Sequence, residues 1–497
     1  MLRDTSEVLM DIKQLVRTKG FLYTICLILV DDFHLNVEAM HETDYRSRLN
    51  KNEILMLLGF LIQDEISLET PKSPFELIEL KKKTYHLMEE LHYSTTAPFQ
   101  AKIEQLIKNP SSQNAPNDKD FFGDENMFIE PIFYSGDGIY DIQYLEFLKR
   151  KYKYNEEWLN RNADFDFDNI LEIVTHIKKL HQDKFQRVNF IGLKENKQQI
   201  LKDLRKGKSI PKKERDDFLA LLEFYQFSEF FEAESNLAKG LDPTQITENG
   251  WKSFYLGLLD LFSITPSDFL PKHKISRFLK KFSIANSPFG RNENFQNIGD
   301  FNILSASPII PFGSDKYFVP IIFSVFEAVY ESPYYWMTED KSYRNSLAES
   351  RGKAGEEIAF ELLKAVVGEN RIYKSIKIES KRGYDDTDID VLCILGNKAI
   401  CVQVKSKKLT QLSRKGNSNQ LKTDFKGAVQ DAYEQGMTSR TKIIEKNSIF
   451  RDENGNRLNI IDNIEDVYIL IVTTENYPAL THQARSLESV TITVSSH

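Results

Sequence analysis

Asp388, Asp390, Gln403 and Lys405 are the residues of this 497-residue chain whose types and spacing point most directly to chemistry. They fall within residues 386–405, where two apolar runs flank Gly396-Asn397. Such a dipeptide between alternating segments is a two-residue hairpin signal, because Gly and Asn tolerate the positive φ that these turns require. With Gly396-Asn397 as the turn, Leu395 pairs with Lys398, Asp390 falls opposite Gln403, and Asp388 falls opposite Lys405. Alternation then puts all four polar residues on one face. Two acids, an amide and a lysine on an apolar sheet are costly to bury unless they are paired or bind something. A divalent cation and a phosphate together would satisfy them. The other parity (Val391, Cys393, Leu395, Ile400, Val402, Val404) is wholly apolar, so an ordinary hairpin with one solvated face would carry the same pattern.

The elements that must position these residues are legible on either side. Upstream, Ala359, Phe360, Leu363, Val366 and Val367 recur at helical spacing after Arg351-Gly352-Lys353-Ala354-Gly355-Glu356-Glu357. Glu356 precedes that stripe by three, four and seven residues and is expected on the buried face. Glu357 shares a side with Glu361 and Lys364 and is expected in water. Arg371 to Ile378 reads as a strand that ends in a charged loop, Glu379 to Asp386. Downstream, Leu421, Phe425, Ala428, Val429, Ala432 and Tyr433 mark one amphipathic helix, and Val467 to Val472 reads as a buried strand. The order is helix, three strands, helix, strand.

A helix with an inward Glu356, then Asp390, then Gln403-Val404-Lys405, then a helix and a further strand, resembles the PD-(D/E)xK, restriction-endonuclease-like nuclease superfamily. Gln403 stands where that family more often has an acid, a Gln-x-Lys variant. Gly352-x-x-x-Glu356 is similar to the first motif of archaeal Holliday junction resolvases. Gln430-x-x-Tyr433 resembles the Gln/Tyr motif of RecB-like nucleases, with a different spacing. The resemblance covers residues 350–480 and implies an α/β chain: a C-terminal restriction-endonuclease-like αβββαβ core preceded by a large, mostly α-helical region. It implies a metal-dependent endonuclease that hydrolyses phosphodiester bonds, in DNA in preference to RNA, in restriction, repair or antiviral defence.

The resemblance also implies roles. Hard oxygen ligands suit Mg²⁺ or Mn²⁺. Asp390 would be the central ligand, Glu356 a second one directly or through water, and Gln403 would offer its carbonyl oxygen. The backbone carbonyl of Val404 would add a fourth. Lys405 would orient or help deprotonate the attacking water and stabilise the developing charge. Asp388 is either an extra ligand or the ion-pair partner of Lys405, and Gln430 and Tyr433 are further candidates.

After Lys405 the chain is basic. Lys407, Lys408, Arg414, Lys415 and Lys422 stand in a polar loop suited to phosphate contacts, which give salt-sensitive and largely sequence-independent affinity. A solvated charged loop is the alternative. Arg440 to Lys446 reads as a helix surface or a hairpin edge. The formal net charge of −8 requires any nucleic-acid contact to be local.

The length accommodates two to four domains. Residues 1–110 read as a helical domain, with helices at Glu53–Ile62 and Pro74–Leu91 and Ser73-Pro74 as a helix start. Residues 109–126 are the best linker. Residues 127–340 read as a mostly helical region with short strands, a possible sensor, specificity or homo-oligomer module, and 345–497 as the nuclease-like domain. Asp164 to Asp168 reads as a turn leading into a helix rather than a calcium loop. The three cysteines, Cys26, Cys393 and Cys401, have no metal spacing and suit core positions in a reducing cytoplasm. Phe21 to Val30 is too short to span a bilayer, and no secretion signal precedes it, so no membrane partner is expected. Phosphate-loop, dinucleotide and zinc-helix motifs are absent. The rival classes are a catalytically inactive nucleic-acid-binding module and a protein-interaction chain that uses a nuclease fold as scaffold.

Overall fold

A computed structural model describes residues 3–33, 48–108, 133–134, 140–188, 206, 251–269, 271–286, 291–313, 315–379, 385–415, 417–475 and 477. The proposed linker at 109–126 and nearly all of the basic run 205–215 lie outside them. Helices α1 (Thr5–Val16), α2 (Phe21–Phe33), α3 (Lys51–Leu61) and α4 (Pro74–Lys108) open the chain. They are followed by α5 (Asp141–Lys151), α6 (Glu156–Ala163), α7 (Phe167–Val188), α8 (Trp251–Leu261) and α9 (Lys272–Phe282). Three short strands, β1 (Ser263–Ile264), β2 (Ile310–Phe312) and β3 (Lys316–Phe318), make a small antiparallel sheet of order β1-β3-β2.

Contacts group the chain into two compact units that do not follow the three successive segments expected from composition. One unit is residues 1–98, 168–297 and 301–329; the other is 99–167, 298–300 and 330–497. In the first unit, helix starts follow ordinary capping. Asn50 caps α3 through the Glu53 N–H while Glu53 returns to the Asn50 N–H, a capping box. Phe21 to Leu29 of α2 are all buried, as expected of an apolar helix inside a core. No helix among the described residues is long and apolar enough to cross a membrane.

The second unit carries the candidate chemistry. Its elements are α10 (Ile322–Glu339, from Tyr330 onward), α11 (Arg344–Val367), β4 (Ile372–Glu379), β5 (Asp385–Leu395), β6 (Lys398–Lys405), α12 (Gln411–Arg414), α13 (Ser418–Phe425), α14 (Asp431–Glu445), β7 (Ile449–Arg451) and β8 (Asp466–Thr473). The sheet order is β7-β4-β5-β6-β8, antiparallel except for β6 and β8. Leu395 pairs with Lys398, and Gly396 takes φ +67° at the turn. Helix α11 covers Ile372, Val391, Cys393, Val402 and Val404 on one face through Ala359, Phe360 and Leu363. The other face packs Ile376, Ile378, Ile389, Leu392, Ile394, Ala399 and Cys401 against Ile443 of α14 and Phe450 of β7.

Three expectations change here. Val467 to Val472 is not a fully buried strand: β8 lies at the sheet edge, and Tyr468 and Leu470 are exposed on its open face. Val366, assigned to the inner stripe of α11, is 81% exposed, because the covered stripe stops at Leu363 and Val367. The single amphipathic helix after the hairpin is two helices, α13 and α14, joined through a π turn over Lys426–Gln430. That turn inserts one residue into the helical period and rotates everything after it by about 100°. Leu421, Phe425 and Ala428 form one small core with Leu409 and Tyr477, while the buried stripe of α14 restarts as Ala432, Gly436, Ser439 and Ile443.

Candidate active site

Asp390 lies where the sheet changes face. Ile389 and Val391 would share a face under strict alternation, yet they pack into opposite cores. On β4, Ile372, opposite Cys393, and Ile376, opposite Ile389, are split in the same way. Between the pairs Lys374–Val391 and Ile376–Ile389, Ser375 takes φ +51°, an uncommon value for a residue with a Cβ. The crease frees the Asp390 side chain from the regular pleat. Its Oδ2 accepts the Val404 N–H at 2.6 Å. The uniform polar face expected from alternation is therefore broken at Asp390.

Glu356 reaches the site from α11. Gly355, its neighbour, lets the helix approach the strand ends: a Cβ there would stand 2.6 Å from Thr474 Cγ2 and 3.2 Å from Ser406 Oγ. Burial raises the Glu356 carboxyl to about 7, and the charges of Asp390 and Asp388 add to the rise against Lys374 and Lys405. Burial likewise lifts the Asp390 carboxyl, opposed by the Val404 N–H, with Asp388 adding to the lift. Both carboxyls are raised by burial and by neighbouring acids, and in such a partly dry setting a cation is the natural relief. Glu357 does not face open water. It is part-buried and receives Lys153 Nζ at 3.0 Å.

Gln403 and Lys405 share the parity of Cys401 and so stand on the α14 side of β6. Gln403 is fully buried. Its Nε2 donates to the Asp388 carbonyl at 2.9 Å, and its Oε1 is buried with no hydrogen-bond partner. Lys405 Nζ donates to Gln435 Oε1 at 2.9 Å, and Gln435 Nε2 donates to Asp388 Oδ1 at 2.6 Å. Of the two roles considered for Asp388, direct pairing with Lys405 is not what the geometry has: Gln435 stands between them. Ser439 Oγ closes the same corner, 3.4 Å from the Asp388 carbonyl. Gln430, by contrast, bonds Glu434 at 3.0 Å.

The basic segment divides. Lys408 is not a free phosphate contact. It is largely buried, ion-paired with Glu331 and with Glu475 at 3.5 Å, and its ammonium lies 4.7 Å over the Tyr334 ring. Lys151 joins the same group at 3.3 Å from Glu331, and Arg351 at 2.6 Å from Glu475. Arg351 also donates to the Ser406 carbonyl at 2.6 Å, tying α11 to the residue after Lys405. Lys415 pairs with Asp300 at 2.7 Å. Lys407 lies 3.5 Å from the buried Asp424, whose carboxylate also takes the Thr410 N–H at 2.7 Å and Ser413 Oγ at 2.6 Å. Asp424 thus shapes the loop that leaves Arg414 exposed and Lys422 half-buried.

Residues 351–466 match the family model of the nuclease-related domain, NERD. The match begins at Arg351 and spans Glu356, Asp390, Gln403, Lys405 and Gln435. It supports a nuclease-related function and nucleic acid as the class of partner. Residues 140–167 and 330–350 of the same compact unit lie outside it. No curated protein and no solved structure shows significant similarity to the chain.

Among the described residues, no three His, Cys, Asp or Glu side chains form a ready-made metal cage. The donors present still fit a hard divalent ion. The Asp390 carboxylate acts on the part-buried Glu356 carboxyl, and a buried amide oxygen, Gln403 Oε1, lacks a partner. Mg²⁺ keeps several waters and is commonly held by one or two carboxylates plus substrate phosphate.

Proposed function

We propose that the second unit is a metal-dependent nuclease with a restriction-endonuclease-like core, acting on DNA in preference to RNA. The observation that carries this reading is the convergence at the strand ends of Glu356 from α11, Asp390 held by the Val404 N–H and Lys405 held by Gln435, where burial and the Asp390 charge raise the Glu356 carboxyl. Glu356 and Asp390 would hold Mg²⁺ or Mn²⁺, with Gln403 Oε1 as a neutral third donor. The bound ion would neutralise charge on the scissile phosphate and make a water more acidic. Asp390 is kept in place by the Val404 N–H. Lys405, oriented by Gln435, supplies positive charge where the transition state gathers negative charge. Arg414 and Lys407 would meet flanking phosphates. Restriction, repair or defence against foreign DNA are the roles that suit such an enzyme.

The test is incubation of the full chain with DNA and RNA substrates, with and without Mg²⁺ or Mn²⁺. Cleavage should require metal and vanish in Asp390→Ala and in Lys405→Ala, with thermal melting little changed. Near wild-type cleavage by both variants would remove the site assignment. A second reading, a nucleic-acid-binding module without catalysis, is favoured by the neutral Gln403 and by the absence, among the described residues, of a three-acid cage. It predicts binding without cleavage under all metal conditions.

A further inference from the structure

Lys374 is a cation that the motif reading passes over, because its strand shows only an apolar alternation. In the fold it pairs in register with Val391, the residue next to Asp390. Its ammonium stands 6.0 Å from the ring centroid of Phe360, which lies one helical turn beyond Glu356 on α11. Lys374 is thus on the α11 side of the carboxylates, while Lys405 is held on the α14 side by Gln435. The two lysines flank Glu356 and Asp390 from opposite directions. Both act electrostatically on Glu356, and Lys374 also on Glu357.

The ammonium of Lys374 is engaged by Glu453, at 3.2 Å, from the turn after β7. Glu453 is half exposed and Lys374 about a quarter exposed. A pair whose acid stands half in water is weak. Exchange of Glu453 for a phosphate oxygen therefore costs little, and Lys is well suited to meet phosphate as a point charge. We propose that Lys374 is a second phosphate-binding residue, contacting the substrate backbone on the α11 side of the site and displaced from Glu453 when a strand binds. The proposal rests on the nuclease reading and adds a substrate contact to it.

The experiment uses the full chain, a labelled DNA substrate, and Lys374→Gln, Lys374→Arg and Glu453→Gln. Affinity is measured over a range of salt without metal, and steady-state cleavage with Mg²⁺. Loss of one phosphate contact lowers the slope of log K against log salt by about 0.7–0.9. Lys374→Gln should show that decrease, with KM raised roughly tenfold and melting temperature unchanged. Lys374→Arg should restore the slope, and Glu453→Gln should tighten binding severalfold. A wild-type slope and KM in Lys374→Gln would overturn the proposal, as would a loss that tracks a fall in melting temperature and is not rescued by Arg. If wild-type protein neither binds nor cleaves the DNA, the nuclease reading itself falls, an outcome distinct from a functional wild type with an indifferent Lys374.

Discussion

Lys405 and Gln435 form the hinge of the candidate site: Lys405 Nζ donates to Gln435 Oε1 at 2.9 Å while the other end of that amide holds Asp388 at 2.6 Å. A lysine on four rotatable bonds needs an acceptor to fix where its charge sits. The amide supplies one without neutralising it, which would leave the Lys405 charge for substrate in the proposed nuclease. An acid in the same place would compete with phosphate.

Gln435→Leu should therefore lower cleavage by roughly tenfold to a hundredfold, the range found when an outer partner of a site residue is lost. Gln435→Glu should lower it further, because the carboxylate pairs with Lys405 and repels Asp388. Melting temperatures should change little, since Gln435 is only half-buried. Comparing kcat for the two variants checks this, and equal activity in all three proteins would free Lys405 from any dependence on Gln435.

Glu356 and Glu357 are neighbours with different surroundings. Glu356→Gln removes a crowded carboxylate beside Asp390 and should cost about a hundredfold or more in cleavage. It should also raise the melting temperature in the absence of metal, because like charge is removed from a buried cluster. Glu357→Gln loses an ion pair to the largely exposed Lys153, a change of about 0–1 kcal/mol, with activity near wild type. If Glu357→Gln is the inactive variant, α11 presents its other side to the substrate.

Much of this unit was legible in sequence. Gly396 announced the hairpin because a tight turn needs positive φ, and Glu356 was placed inward by its spacing to Ala359, Phe360 and Leu363. What stayed hidden had long-range or irregular causes. Gln435 was passed over in favour of Gln430 and Tyr433 because those two matched a nuclease motif in sequence, whereas the phase that turns Gln435 toward Lys405 and Asp388 is set by the π turn at Lys426–Gln430, which no residue pattern announces. The crease at Asp390 depends on Ser375 in a conformation that serine seldom adopts. Lys408 looked like part of a solvated basic run because its partners, Glu331 and Glu475, stand 77 residues before it and far after it. Charge runs in sequence say nothing of such partners.

The Glu331 group makes a stability prediction. Burial works to raise the Glu331 carboxyl, but Lys151 and Lys408 outweigh it and hold it below its ordinary range. A depressed folded value means that the stabilisation is full above the unfolded carboxyl range, about 4.3, and is lost as pH falls through the lower folded value. Lys408→Met breaks a largely buried pair and should cost about 3–5 kcal/mol near neutral pH. It should also flatten the acid limb, since Glu331 loses one of the cations that hold it down and then titrates closer to its unfolded value, so the gap between the two proteins should narrow as pH falls. Denaturant titrations of both proteins at descending pH test this. Parallel curves displaced by a constant amount would show that Lys408 does not set the Glu331 titration.

Gln403 separates a structural amide from a metal-facing one. Its Nε2 serves the Asp388 carbonyl, and its buried Oε1 has no partner, a loss of about 1–3 kcal/mol unless something fills it. Gln403→Glu removes the donor, sets a carboxylate against the Asp388 carbonyl and adds a third negative charge near Asp388 and Asp390. Without metal that variant should melt well below wild type. With Mg²⁺ or Mn²⁺ the added carboxylate becomes a stronger ligand than the amide, so the melting temperature should recover by more than wild type gains, and cleavage should saturate at lower metal concentration. Gln403→Leu should be less destabilised than Gln403→Glu without metal and should gain little from it. A deficit in Gln403→Glu that is the same with and without either cation would take Gln403 out of the ligand set and leave the carboxylates as the side-chain ligands.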